Sequence, residues 1–582
     1  MGLISRKAVL IGLTLSLAVA ASAAPKLRLS TAAVGPLFIT AGQNGTTQSI
    51  SAANAGDGGL NLSASSTATW INVTFGIAKP CVVSNTSYPS CVPVNVGLAT
   101  NQLTNGSYTG VVTLTDPNAV DAPQTFTVTV QIGSAVPTSI DLYIPPSGSA
   151  STSFVTGSSL TTSVINSVGG PVVSIAAPNA GSFASTYSYV VSVTASASVA
   201  PNDYVSNVGI SGSSTPGDNK TLRVTSHVTT LPIANATLPP SPLAGTVLFQ
   251  IAQGGQTQAQ NVKFTNSGSG TLTLSQISGA PSWLKTTIAG NSLTLTADPF
   301  TLSPGTSTAT ISVSSNAANS PTSIPVSLTV LTSGPPLIGY QQVQDNVLFV
   351  PGDPVAPGDW VAIFGQQLHV GALVLATVFP LSGTLGGATV FVNGTPAPVY
   401  FVSESQIDFQ MPYATPAGDA TVRVDRDGQK GNTVSVKIVP AAPRLLQFSY
   451  PGLEGYAEAY INSSTVFAVP VTTGISSSPA HAGDTVVFFA FGLGQTVPAA
   501  MDGAAPTASP IPGTPQMIIG QSSLPTSGVT VAPSYAGLTP GSVGVYQINV
   551  PLPSNVPRGN AVSATLDMGN GIFSNRVLIA IQ

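Results

Sequence analysis

Apolar and polar residues alternate one for one along much of this chain. Thr125-Phe-Thr-Val-Thr-Val-Gln-Ile132, Thr308-Ala-Thr-Ile-Ser-Val313 and Ser323-Ile-Pro-Val-Ser-Leu-Thr-Val330 are clear instances. Successive side chains of a strand point to opposite faces, so this period of two means strands with one buried face. Clusters of Gly, Pro, Asn and Ser separate the runs at the spacing of sandwich proteins. No long stretch carries a helical period. A chain of 582 residues exceeds what one hydrophobic core can hold, so several such units are expected.

Repeats set the size of the unit. Gln43-Asn-Gly-Thr-Thr-Gln48 is echoed by Gln253-Gly-Gly-Gln-Thr-Gln258, Asn54-Ala-Gly56 by Asn266-Ser-Gly268, and Trp70-Ile71 by Trp283-Leu284. Leu103-Thr-Asn-Gly-Ser-Tyr-Thr-Gly-Val-Val-Thr-Leu114 is echoed by Leu302-Ser-Pro-Gly-Thr-Ser-Thr-Ala-Thr-Ile-Ser-Val313. Between them, Ala200-Pro-Asn-Asp-Tyr-Val-Ser-Asn-Val-Gly-Ile210 reads as a worn copy without the Trp. The period is near one hundred residues, one seven-stranded sandwich per copy. The pattern resembles the BACON family of bacterial immunoglobulin-like modules over about residues 27–133 and 233–332, and less over 136–231. The resemblance implies export and either carbohydrate binding or a spacer role; it transfers no catalytic residue.

After Gly334-Pro-Pro336 acidic residues, Phe and Tyr become more frequent. Ala356-Pro-Gly-Asp-Trp-Val-Ala-Ile-Phe-Gly365, Val390-Phe-Val-Asn-Gly-Thr-Pro-Ala-Pro-Val-Tyr400 and Glu404-Ser-Gln-Ile-Asp-Phe-Gln-Met-Pro412 form one set. Ala482-Gly-Asp-Thr-Val-Val-Phe-Phe-Ala-Phe-Gly-Leu-Gly494, Tyr535-Ala-Gly537 and Val545-Tyr-Gln-Ile-Asn-Val-Pro551 form a second in the same order, which implies a tandem duplication. These residues closely resemble the Solibacter-type uncharacterised C-terminal domain family over about residues 337–582, with modules similar to the IPT/TIG immunoglobulin-like class. That family has no assigned activity. The expectation is an all-β chain of tandem immunoglobulin-like β-sandwich modules. Residues 1–23 form an export signal, and the modules span 24–134, 135–232, 233–335, 336–442 and 443–582.

Charge excludes several functions. Only 6% of residues are charged, against roughly 25% in ordinary soluble domains. The net charge is −4, and between Arg28 and Lys220 the one cation is Lys79. Nucleic acid needs clustered Lys and Arg, and so does an anionic membrane surface, so neither partner is expected. No apolar run long enough to span a membrane follows the start of the chain. Arg6 and Lys7, the apolar Ala8–Ala20 and the small residues Ala21-Ser22-Ala23 read as a secretory signal with cleavage after Ala23. The expected destination is the outside of the cell, the periplasm or the cell surface. In such a compartment Cys81 and Cys91, the two cysteines, are expected to pair. A metal site is the weaker alternative, because His227, His369 and His481 lie far off in sequence.

Catalytic constellations are hard to find. No Gly-x-Ser-x-Gly turn occurs, and each histidine falls in a different module. Glu454 and Glu458 form the nearest glutamate pair. Four strand residues span about 13 Å, too far for either glycosidase mechanism. Asp425-Arg-Asp-Gly428 starts like a calcium loop, but lacks the later ligands and lies between alternating segments, so a hairpin turn is the reading. Trp70 and Trp283 stand at matching positions beside apolar residues and read as core plugs rather than sugar platforms, and Trp360 reads as core too. The less regular aromatic group Tyr450, Tyr456 and Tyr460 is the candidate ligand platform. The expectation is a non-catalytic multi-domain binding or adhesion protein without cofactor or metal. Its expected ligand is neutral polysaccharide or a cell-surface glycan. The alternative is a structural spacer. An open aromatic row would favour sugar binding; fully buried aromatics would favour the spacer.

Overall fold

The computed structural model describes residues 24–177, 186–239, 241, 245–253, 255–449, 452–462, 464–520 and 528–582. The expected export signal and Tyr450 lie outside the described residues. Among those described, every regular element is a strand except one short 3-10 turn, Pro216–Asp218. The chain is all-β, a tandem array of immunoglobulin-like sandwiches. No helix among the described residues is long and apolar enough to cross a membrane.

Alternation does what the sequence implies. In strand Gln124–Ile132 the side chains of Phe126, Val128, Val130 and Ile132 are at most 1% exposed, while their neighbours face outward. Each apolar side chain buried this fully contributes about 1.5–3 kcal/mol. Ten sheets stack in pairs around five large cores among the described residues.

The first and third modules share one strand order. In the first, one sheet runs Leu27–Leu29, Gly45–Asn54, Thr86–Leu98, Ile71–Phe75, and the other runs Ala33–Ile39, Gln124–Ile132, Gly106–Thr115, Ser63–Ser66. In the third the orders are Ala234–Thr237, Gln258–Asn266, Ser292–Ala297, Leu284–Ala289 and Val247–Ala252, Thr322–Leu331, Gly305–Ser315, Leu274–Ser278. In each, an early strand pairs in parallel with the last: Ala33–Ile39 with Gln124–Ile132, and Val247–Ala252 with Thr322–Leu331. The middle module keeps this device between Ser139–Ile144 and Thr221–Val228.

The last two modules also repeat one another. One sheet runs Leu337–Asp345, Trp360–Gln366, Gln406–Gln410, Val399–Val402, Val374–Leu375. Its counterpart runs Arg444–Leu445, Thr485–Phe491, Tyr546–Pro551, Tyr535–Leu538, Ser509–Pro510, with Ala459–Ile461 added beside Thr485–Phe491.

The array folds back on itself. The first module packs against the fourth, where Arg28 and Ser435 both bond the Asp121 carboxylate.

Candidate functional site

The two Gln-Ile-Asp/Asn motifs occupy the same place in the two equivalent sheets. Ile407 and Ile548 point into the cores. Alternation then turns Gln406 and Asp408, and Gln547 and Asn549, to the outer faces. The amide of Gln406 donates to Asp408 at 2.8 Å, and that of Gln547 donates to Asn549 at 2.7 Å. The duplicated motif thus builds two matching polar ridges, one ending in a carboxylate and the other in an amide.

On the last module this ridge borders an open cleft of about 510 Å³, lined by Tyr460, Asn462, Thr485, Ser534, Gln547 and Asn549 among others. Register places Tyr460 opposite Val487, Val487 opposite Asn549, and Asn549 opposite Tyr535. Among the described residues no Asp, Glu, Lys, Arg or His lines the cleft. Tyr460 also belongs to an aromatic row. Its ring lies 4.7 Å from that of Phe467 and 5.7 Å from that of Phe489, and Phe467 lies 4.8 Å from Phe448. All four rings are half-buried, so each keeps some surface open to solvent.

Tyr456 faces outward two residues away from Glu458 and four from Tyr460, but does not line the cleft. Its hydroxyl donates to the Asn560 carbonyl at 3.0 Å. The structure therefore groups Tyr460 with three phenylalanines that sequence reading passed over. Phe448, Phe467 and Phe489 sit on separate segments, and only folding brings them together.

On the fourth module the equivalent face is capped by the fifth. Trp360 continues outward while its neighbours Val361 and Ile363 enter the core. It does not plug its own module: it packs with Leu381 and Val543, and its indole N–H donates to the Val543 carbonyl at 2.8 Å. Beside it is a pocket of about 370 Å³, walled by Trp360, Tyr400, Phe491 and Phe379 with Asp408 and Asn346. Trp360 meets Tyr400 at 5.2 Å and 79°, and Phe491 at 6.4 Å and 47°. Burial pushes the Asp408 carboxyl above its ordinary range, partly offset by side-chain hydrogen bonds from Gln406 and Asn346. Trp360 is buried, as a core residue is expected to be, but between two modules, because alternation with Val361 and Ile363 turns it away from its own core.

The remaining candidates have structural partners. Trp70 and Trp283 are 8% and 7% exposed and belong to the first and third cores. Glu454 is exposed and accepts from the Gly452 backbone at 2.8 Å, while burial raises the carboxyl of half-buried Glu458. Asp425 is held by Arg423 at 2.7 Å, and Asp427-Gly428 is the two-residue turn of a hairpin. His227 lies 2.7 Å from Asp203 and 3.2 Å from Asp141, and stacks on Tyr143. Among the described residues no three of His, Cys, Asp and Glu are grouped to hold a metal ion. Cys81 and Cys91 form a disulfide.

No family model and no curated protein matches this chain. Among solved structures it is similar to an endo-fucoidan hydrolase of glycoside hydrolase family 107, at 14% identity and TM-score 0.17, over 53% of this chain and 45% of the hydrolase. It is also similar to the extracellular domain of protocadherin GammaB4, at 16% identity and TM-score 0.15, over 96% of this chain and 85% of that one. An I-band fragment of titin aligns at 8% identity and TM-score 0.14, over 53% of this chain and 99% of the fragment. The chain thus spans less than half the length of the hydrolase. Likeness at this level assigns neither ligand nor reaction.

Proposed function

We propose that this chain is an exported, non-catalytic binding protein whose last module holds a neutral polysaccharide. The observation that carries the reading is the half-buried row of Phe448, Phe467, Tyr460 and Phe489 leading into a cleft of amides and hydroxyls without a charged side chain. Sugar rings offer apolar C–H faces and a rim of hydroxyls, and such a surface matches both. The sparse charge of the chain supports a neutral ligand, since counterion release has little to act on. The resemblance of the first and third modules to BACON modules supports export and a carbohydrate partner.

The test is a pull-down of the mature chain on insoluble neutral glycans across a salt series. Retention is expected to change little with salt. Tyr460→Ala is expected to weaken it by about tenfold, the value of one good ring contact, and more than Tyr456→Ala does. Retention that collapses as salt rises would show a charged interaction and sink the reading. No retention on any glycan would leave the modules as spacers.

A further inference from the structure

The two matching faces of the last modules differ in one decisive atom. On the fifth module the ridge ends in the amide of Asn549; on the fourth it ends in the carboxylate of Asp408. Around Asn549 the cleft is open and uncharged. Around Asp408 four aromatic side chains from two modules close in: Trp360, Phe379 and Tyr400 from the fourth and Phe491 from the fifth. From these differences we infer that the Asp408 pocket binds an alkylated ammonium group, as carried by choline or a methylated amine.

Three observations lead there. First, the rings are inclined to one another, Trp360 to Tyr400 at 79° and to Phe491 at 47°. Rings inclined in this way wall the pocket from more than one direction, and the negative face of an aromatic ring attracts a cation.

Second, Asp408 lacks a cation. Its partners are the neutral side chains of Gln406 and Asn346, and it forms no ion pair among the described residues. A half-buried carboxylate without a counter-charge is costly, and a bound ammonium would remove that cost. Among the described residues no Lys, Arg or His lines the pocket to compete.

Third, the space is suitable. A volume of about 370 Å³ lies within the range of small-ligand sites. Phe379, which lines it, is 53% exposed, so the pocket is in reach of solvent.

The test uses Trp360 as reporter. Replacing Trp70 and Trp283 by Phe leaves Trp360 as the single indole of the chain's three. Choline is titrated against its neutral isostere, in which a tert-butyl group replaces the trimethylammonium. Calorimetry on the unaltered chain gives the same comparison without touching either core. Choline is expected to change Trp360 emission saturably and to bind about tenfold or more tighter than the isostere. Asp408→Asn, which keeps the shape and gives the fourth module the amide of the fifth, is expected to weaken choline binding by a similar factor. Equal binding of choline and isostere would overturn the inference, because the pocket would then be merely apolar. Absence of a saturable signal, or undiminished binding by Asp408→Asn, would overturn it as well. Retention on neutral glycan is expected to be unchanged in Asp408→Asn, so the fate of the two sites can be told apart.

Discussion

Asn54 and Asn266, one in each of the clearest repeats, show how a repeated residue earns its place structurally. The carboxamide oxygen of Asn54 accepts from the backbones of Lys26 and Gly56 at 3.0 Å, and its nitrogen donates to the Gly58 carbonyl at 2.8 Å. Asn266 does the same with Ile233 and Gly268, and with Gly270. The following glycine is needed for close approach: a Cβ on Gly268 would stand 2.4 Å from the Leu231 carbonyl oxygen. Asn-x-Gly is therefore a loop clamp and not a ligand motif. Asn266→Ala leaves backbone donors of a partly buried loop without their acceptor. It is expected to lower the stability of the third module by about 1–3 kcal/mol, measured by denaturant unfolding of the full chain. A change below a few tenths of a kcal/mol would mean that water replaces the amide at no cost. Trp70 and Trp283 belong to the same class, since the carbonyl of each accepts a backbone N–H at 2.8 Å, from Ala99 and Asp298, while its ring fills the core.

At the scale of elements, the disulfide illustrates a local device on a local hairpin. Strands Lys79–Val83 and Thr86–Leu98 are joined by Ser84 and Asn85, both at positive φ (48° and 63°), the geometry of a tight type I′ turn. Cys81 and Cys91 tie these strands, and Cys91 packs beside Ala53 and Val83. Among the described residues the short strand pairs with Thr86–Leu98 alone, whereas Thr86–Leu98 also pairs with Gly45–Asn54 and Ile71–Phe75. Replacing both cysteines by serine is thus expected to loosen Lys79–Val83 and leave the sandwich folded. The chain-entropy value for so short a loop is about 3 kcal/mol, and the turn already supplies part of that closure. Hydrogen exchange checks it: protection should fall in Lys79–Val83 and persist in Gln124–Ile132; uniform loss would show that the bridge supports the whole module. Such elements were legible in the sequence because alternation and turn residues act within a few positions. The candidate cleft was legible only at Tyr460. Phe467 and Phe489 meet it through cross-strand neighbours, and Asp408 shares a face with Trp360 because register sets Asp408 opposite Ala362 and Gln410 opposite Trp360. Period two says which side chains face outward, not which outward faces will share a space.

For the whole molecule, the contact between the first and fourth modules decides whether the array is extended or folded back. Its centre is Asp121, whose side chain is 1% exposed. The Ser435 backbone N–H and hydroxyl donate to it at 2.6 and 2.8 Å, and Arg28 pairs with it. The Asp121 backbone N–H donates to Thr433 at 2.9 Å, and the Asn432 amide donates to the Ala122 carbonyl at 3.1 Å. Arg28 also lies over the Tyr340 ring at 5.6 Å. Lys26 and Asp419 form an outer pair at 2.8 Å, with Asp419 59% exposed. The entropy of closing so long a loop grows only slowly with its length, so more than three hundred intervening residues are no bar. An exposed pair is worth about 1 kcal/mol at most, while removing one partner of a buried pair costs about 3–5 kcal/mol. Asp121→Ala is therefore expected to release the first module and Lys26→Ala is not. Small-angle scattering should show a larger radius of gyration for Asp121→Ala, with circular dichroism unchanged because each sandwich keeps its own core. Raising salt should leave the unaltered chain compact, since a desolvated pair is poorly screened. Matching scattering profiles for Asp121→Ala and the unaltered chain would mean that Asp121 does not hold the fold-back. Opening by salt alone would assign that role to the outer Lys26–Asp419 pair.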